Sequence, residues 1–172
     1  MEITTSTYLS PVGELRLGSL EGKLCMCDFI LPGRESRTVK RLKNAFQAHF
    51  IEGTSPVIVQ TCTELDEYFA GRRSVFSIPM QLFGTPFQQQ VWRILQTVGY
   101  GETISYAEEA ARLGRPTAYR AVANANGANP ISIIIPCHRI IASNQKLGGY
   151  GGGLDKKRFL LRLEQSLERV SE

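Results

Sequence analysis

Strand-like alternation opens the chain: Ile3, Thr5, Thr7 and Leu9 fall on one face, then Leu15 and Leu17, then Leu24 and Met26. Turn signals at Pro11-Val12-Gly13 and Glu21-Gly22-Lys23 separate the segments, so the pattern predicts a three-stranded antiparallel meander. Val39, Leu42, Phe46 and Phe50 then recur at helical spacing, and Thr63 to Gly71 reads as a second, shorter helix. Residues 1–83 are thus expected to form a small N-terminal α+β domain.

The pattern changes at Gly84-Thr85-Pro86. Thr85 can cap a helix whose first position is Pro86, and Phe87, Val91, Ile94, Leu95 and Val98 form its apolar stripe. Ser105 and Glu108 have the spacing of a capping box opening a helix to about Leu113. Gly114-Arg115-Pro116 breaks it, and Thr117 is placed to cap a second helix to about Asn126. Helix, short turn and helix make the outline of a helix-turn-helix, although two adjacent helices of any bundle share that outline. The second helix is slim, with Ala118, Ala121, Ala123 and Ala125, and Tyr119 and Arg120 are its prominent projections. Such a helix suits a narrow minor groove or, equally, tight packing on a neighbour. Ile131 to Ile135 reads as a short buried strand stopped by Pro136, residues 147–153 form a glycine-rich loop, and Leu154 to about Arg169 is a final helix with Phe159, Leu160, Leu163 and Leu167 on one side. The expectation for 84–172 is a mostly helical domain, and the fold class is α+β.

Charge adds a direction. Residues 1–85 carry nine Lys/Arg and nine Asp/Glu, whereas 86–172 carry eleven against seven, which supplies the whole net charge of +4. A nucleic-acid contact belongs in that basic half, if anywhere, since a plain soluble surface fits the charge as well. No apolar run approaches the roughly 20 residues of a bilayer span, and the N-terminus lacks the regions of a signal peptide. The expectation is a cytoplasmic monomer with no membrane contact, in which Cys25, Cys27, Cys62 and Cys137 stay reduced. Cys25, Cys27, Cys62 and His49 could in principle offer four metal ligands, but a one-residue cysteine spacing without paired histidines is a poor zinc pattern, so no metal and no cofactor are expected.

Cys137 is the residue whose position suggests use. It follows a buried apolar run and a proline and precedes His138 and Arg139, which could activate a thiol that ionises only slightly near pH 7. Adjacent side chains of an extended chain point to opposite sides, so a water or a bend after Cys137 would have to connect thiol and imidazole. A core cysteine beside a hydrogen-bonded histidine fits the same residues.

Ile135-Pro136-Cys137-His138-Arg139-Ile140 resembles the active-site signature of the O6-alkylguanine-DNA alkyltransferases. The resemblance extends through Pro86-Phe87-Gln88, Tyr100-Gly101-Glu102, Ile104-Ser105-Tyr106, Arg120-Ala121-Val122, Asn126-Gly127, Asn129-Pro130, Tyr150, Gly152-Gly153-Leu154, Leu160-Leu161 and Glu164. It implies irreversible transfer of a methyl or larger alkyl group from O6 of guanine, and also O4 of thymine, in double-stranded DNA to Cys137, once per molecule. It further implies that His138 deprotonates the thiol through a water, that Glu164 orients the imidazole and that Asn129 supports the active-site turn. Tyr106 would donate to guanine N3, and Ile140, Tyr150 and Gly151 would line the base pocket. Arg120 would fill the stack where the nucleotide is rotated out, Arg115 and Ser143 would touch the DNA backbone, and the minor groove would be the contact face.

Three positions depart from the family's pattern: Ala123 stands where Gly is frequent, Gly151 where Ser is, and Leu163 where His is. Gly151 loses a hydroxyl that could bond O6, which touches rate and alkyl preference rather than the reaction. A helix-turn-helix binding or regulatory module without alkyl transfer is the alternative from another class. A Cys-His hydrolase would need a base in direct contact with the thiol.

Overall fold

Two tight turns build the first sheet. Glu21 and Gly22 adopt φ of 50° and 80°, the left-handed pair that a two-residue hairpin needs, and join β2 (Gly13–Leu20) to β3 (Lys23–Phe29). β1 (Glu2–Ser10) pairs antiparallel with β2, so the meander read from the alternation is present. The computed structural model describes residues 1–165 and divides the chain into two units, Met1–Phe83 with Pro130–Ser132, and Gly84–Asn129 with the chain from Ile133 onward.

In the first unit, Ser36 caps α1 (Arg37–Phe46) and Gln47 ends it in a left-handed conformation. Phe50 therefore does not continue this helix, as its spacing suggested; it lies in β4 (His49–Glu52), which adds to β1 in parallel and gives the order β3-β2-β1-β4. α2 (Pro56–Phe69) starts well before the expected Thr63, because Ser55 supplies a cap and Pro56 the first turn. Ile3, Cys25, Met26, Val39, Leu42 and Ala48 form one core cluster on the α1 side of the sheet. Tyr8, of opposite parity to Ile3, is buried and its hydroxyl donates to Asp66 of α2 at 2.6 Å. Leu9 shares parity with Ile3 yet is 77% exposed. Alternation sets which face a side chain takes; only the helix lying over that stretch decides whether it is buried.

The second unit starts at α3 (Pro86–Leu95), where Thr85 and Gln88 complete a reciprocal capping box. β5 (Ile104–Ser105) leads into α4 (Tyr106–Arg112), with Ser105 accepting from the Glu108 N–H. α5 (Tyr119–Gly127) starts later than read: Thr117 is not its cap, and Ala118 holds that place with no side-chain hydrogen bond. The Trp92 indole donates to the Ala125 carbonyl at 2.8 Å and ties α3 to α5.

The expected strand at 131–135 does not form. Ile131 makes an isolated bridge to Cys27 inside the first unit, and Ile133, at φ 71°, turns the chain between Pro130 and Pro136. A 3₁₀ turn, Cys137–Arg139, follows, then β6 (Ile140–Ile141), paired in parallel with β5. α6 (Leu154–Leu163) closes the described chain; the expected extension to Arg169, with Leu167, lies outside the described residues. Its buried face is Lys157, Leu160 and Leu161, while Phe159, assigned to that face from the sequence, is exposed. No helix among the described residues is long and apolar enough to cross a membrane.

A methyl group on Gly84 would overlap the fully buried Trp92 ring, falling 2.6 Å from Cζ3. Gly84→Ala should therefore cost roughly 1–3 kcal/mol through overpacking. Denaturant unfolding followed by fluorescence of Trp92, the one tryptophan in the sequence, measures this directly; an unchanged midpoint would contradict the packing described.

Candidate active site

The turn that carries Cys137 is held by amide chemistry. Asn129 is buried, and its Nδ2 donates to the Ile135 carbonyl at 2.8 Å and to Cys137 Sγ at 3.2 Å. The 3₁₀ turn then supplies the bend after Cys137 that an extended chain lacks, and sends His138 and Arg139 inward while Cys137 stays half-exposed. Burial pushes the thiol up to about 11, against the Asn129 hydrogen bond and the Lys157 charge, which both favour the thiolate. So raised, the thiol is almost wholly protonated at pH 7. Proton removal, rather than a standing thiolate, is the chemical requirement here.

His138 is fully buried and neutral imidazole is its favoured form, because burial lowers its pKa despite the opposing pull of Glu164. Its Nε2 lies 2.8 Å from Glu164 Oε2. Glu164 is ionised: its contact with His138, then Arg139 with Nε to Oε1 at 2.8 Å and Nη2 to Oε2 at 3.0 Å, keep the carboxyl well below the usual range despite burial. A carboxylate accepts only, so Nε2 must carry the imidazole proton. Nδ1 is then a lone-pair acceptor, and among the described residues it has no hydrogen-bond partner. The arrangement can take up one proton at Nδ1 and spread the resulting charge to Glu164.

Tyr106, at the start of α4, packs its ring over Gly148, where a Cβ would come within 3.0 Å of the ring and 3.2 Å of the hydroxyl. Gly148 also has φ 72°, so glycine is needed there twice over. Burial raises the Tyr106 pKa, against a backbone hydrogen bond at Gly149, so the phenol keeps its proton and remains a donor.

Lys157 is a residue that motif reading passed over. It is fully buried, and its ammonium donates to the carbonyls of Ile140 at 2.6 Å, of Gly149 at 3.1 Å and of Leu147. Burial lowers it to about 8, so it remains charged at neutral pH and pins the glycine-rich loop to the strand after Cys137. The Ile140 carbonyl, expected to line a base pocket, is thus engaged from within. Lys157 falls on the helical stripe of Leu160, Leu161 and Glu164, and a lysine on a buried stripe is the signal that could have found it.

Asn129 bonds Cys137 while His138 and Arg139 both hold Glu164, and the consecutive residues 137–139 make the two sets one group. Tyr106 and Lys157 are linked to Cys137 by charge. Tyr150 is half-buried and Gly151 exposed beside them in the loop. Arg120, Arg115 and Ser143 make no part of that group: all three are exposed, and the Arg115 guanidinium sits 5.3 Å from the Phe87 ring centre. Cys25 and Cys27 are fully buried in the first unit, Cys62 is half-buried and His49 exposed; no cluster of three or more His, Cys, Asp or Glu placed for a metal occurs among the described residues.

Residues 86–166 match the family profile described as 6-O-methylguanine DNA methyltransferase, DNA binding domain, and residues 3–82 match that of its ribonuclease-like domain. A methylated-DNA–protein-cysteine methyltransferase of Methanosarcina barkeri is 43% identical over 157 residues, 91% of this chain and 94% of the relative. The protein of that name from Mycobacterium bovis is 55% identical over 103 residues, 60% of this chain, and the match spans 62% of the relative's length. The crystal structure of Mycobacterium tuberculosis OGT in complex with DNA superposes with a TM-score of 0.82 at 40% identity, covering 97% of this chain and 94% of that one.

Removing the Glu164 charge would leave the Arg139 guanidinium buried without its counter-ion. Glu164→Gln should cost about 3–5 kcal/mol near neutral pH. Because the folded carboxyl lies below its unfolded value of 4.5, its contribution is present above about pH 4.5 and is lost as pH falls further. The gap between wild type and variant should therefore narrow on acidification; a gap independent of pH would show that Glu164 does not carry charge in the fold.

Proposed function

The chain belongs to the 6-O-methylguanine DNA methyltransferase family, and from that premise we propose that it repairs alkylated DNA by moving the alkyl group from O6 of guanine to Cys137. The observation that carries this reading is the neutral His138, whose Nδ1 is an open acceptor while Nε2 is held by the ionised Glu164.

In the proposed step, a water relays the Cys137 proton to His138 Nδ1, and the sulfur attacks the alkyl carbon in line. The C–O6 bond breaks and its electron pair remains on guanine, where a hydrogen bond donated by the Tyr106 hydroxyl to N3 offsets the developing charge. The thioether has no leaving group to expel, so the protein reacts once. Asn129 and Lys157 position the sulfur and favour its negative charge. Tyr150, Gly151 and the backbone at Ile140 form the base pocket.

A side chain cannot reach the reactive carbon in line within a stacked duplex, so the nucleotide must be rotated out. Arg120, exposed on the slim α5, is assigned to fill the gap from the minor groove, with Arg115 and Ser143 on the backbone. O4-alkylthymine offers the same reactive group. The similar mycobacterial OGT, solved in complex with DNA, supports the DNA reading. We assign the protein to the cytoplasm as a monomer.

Incubation with excess O6-methylguanine DNA tests the reaction: repair should stop at one lesion per protein molecule, and continued turnover would refute it. Arg120→Ala should slow repair of a duplex lesion yet act almost normally on the free base O6-benzylguanine, which needs no unstacking worth a few kcal/mol. Tyr106→Phe should slow both. Single-turnover rates for the two variants on the two substrates check this, and an equal loss for Arg120→Ala on both would assign that residue to the fold instead.

A further inference from the structure

Glu109 lies on α4, one turn after Tyr106, and is 1% exposed. Its Oε1 accepts from Asn126 Nδ2 of α5 at 2.8 Å. The other oxygens of the pair, Glu109 Oε2 and Asn126 Oδ1, are both buried, and among the described residues neither has a hydrogen-bond partner. As a carboxylate facing an amide, the pair is one donor short. A single proton on the carboxyl supplies that donor and also removes a buried charge that no ion pair balances among the described residues. Of the elements packed against α4, β5 and β6 carry no charged side chain; α3 carries Arg93 and α5 carries Arg120, both exposed and neither paired with Glu109. The titratable groups that feel a charge on Glu109 are Tyr106 and Cys137.

We propose that Glu109 and Asn126 hold one shared proton between the two helices of the helix-turn-helix, as a neutral acid–amide clasp, and that its loss hinders ionisation of Cys137. The second half rests on the alkyl-transfer reading; the first does not. Burial lifts the Glu109 carboxyl to about 7, only partly offset by the Asn126 hydrogen bond, so the clasp opens within the neutral range. The released proton goes to solvent. The negative charge it leaves is one of the causes that hold the Cys137 pKa up, making the thiol harder to activate just where bulk pH would help it. Glu109 is thus a positioning residue, acting on the sulfur through charge and on α5 through Asn126.

The sign of the linkage is fixed by a raised folded pKa. The proton stabilises the fold fully below the unfolded value of about 4.5, and this contribution declines as pH rises to about 7 and is absent above it. Glu109→Gln supplies an N–H donor at every pH, so its urea midpoint should not share this decline. The difference between wild type and variant should grow from pH 5 to pH 7 and then stay constant; parallel profiles would overturn the clasp. The Glu109 carboxyl carbon, followed by ¹³C NMR in the wild-type protein, should titrate near 7, and a midpoint near 4.5 would overturn it without any variant. For the thiol, the variant and wild type should alkylate equally fast with O6-benzylguanine at pH 6, with the variant several-fold faster above pH 7.5. Equal rates throughout would remove the coupling to Cys137. If neither protein is alkylated, the alkyl-transfer reading fails, while the stability profiles and the NMR titration still decide the clasp.

Discussion

One buried carboxylate holds the site together. Glu164 balances the Arg139 guanidinium through two hydrogen bonds and fixes the proton of His138 on Nε2 with a third contact. A lone buried carboxylate or guanidinium would cost several kcal/mol in desolvation, so each is tolerable only because the other is there. The C-terminal end of α6, capped by Glu164, and the turn carrying His138 and Arg139 are therefore joined by charge as well as by packing. The Val98 carbonyl accepts from Arg139 Nη1 at 2.7 Å, which brings the turn after α3 into the same network.

The network answers a problem that burial creates. Desolvation makes Cys137 a weaker acid than an ordinary thiol, and Asn129 and Lys157 only partly offset it. A site that relied on a standing thiolate would have surrounded the sulfur with charge. Here the positive charges are spent elsewhere: Arg139 on Glu164, and Lys157 on three backbone carbonyls that shape the loop. What remains for the thiol is a neutral base oriented by an anion, which suits a proton transfer coupled to attack. A thiol kept mostly protonated is also less open to adventitious oxidation, which would suit the single use proposed for it.

The elements with local chemical signals were legible. Thr85-Pro86, Ser105 and the Glu21-Gly22 turn carry their structural instructions in neighbouring residues, and the helices and hairpin they predict are present. Elements whose state is decided by distant partners were not. Phe50 fits a helical stripe but forms a strand because β1 offers an open edge, and the apolar run Ile131–Ile135 turns because its ends are claimed by different units. Cys137, His138 and Glu164 were nameable from a resemblance of motifs, whereas the tautomer of His138 and the burial of Lys157 and Glu109 follow only from three-dimensional contacts. Ionisable residues at helical positions otherwise reserved for apolar side chains were the missed clue: Lys157 lies on the stripe of Leu160 and Leu161, and Glu109 lies beside Ala110.

The proposed alkyl transfer ends on a single sulfur atom, which peptide mass spectrometry after reaction with O6-methylguanine DNA can identify. A mass increase of one methyl group is expected on the peptide containing Cys137, with the peptides of Cys25, Cys27 and Cys62 unchanged. Methylation at any of those three in place of Cys137, or repaired DNA with no methyl group retained on the protein, would contradict it.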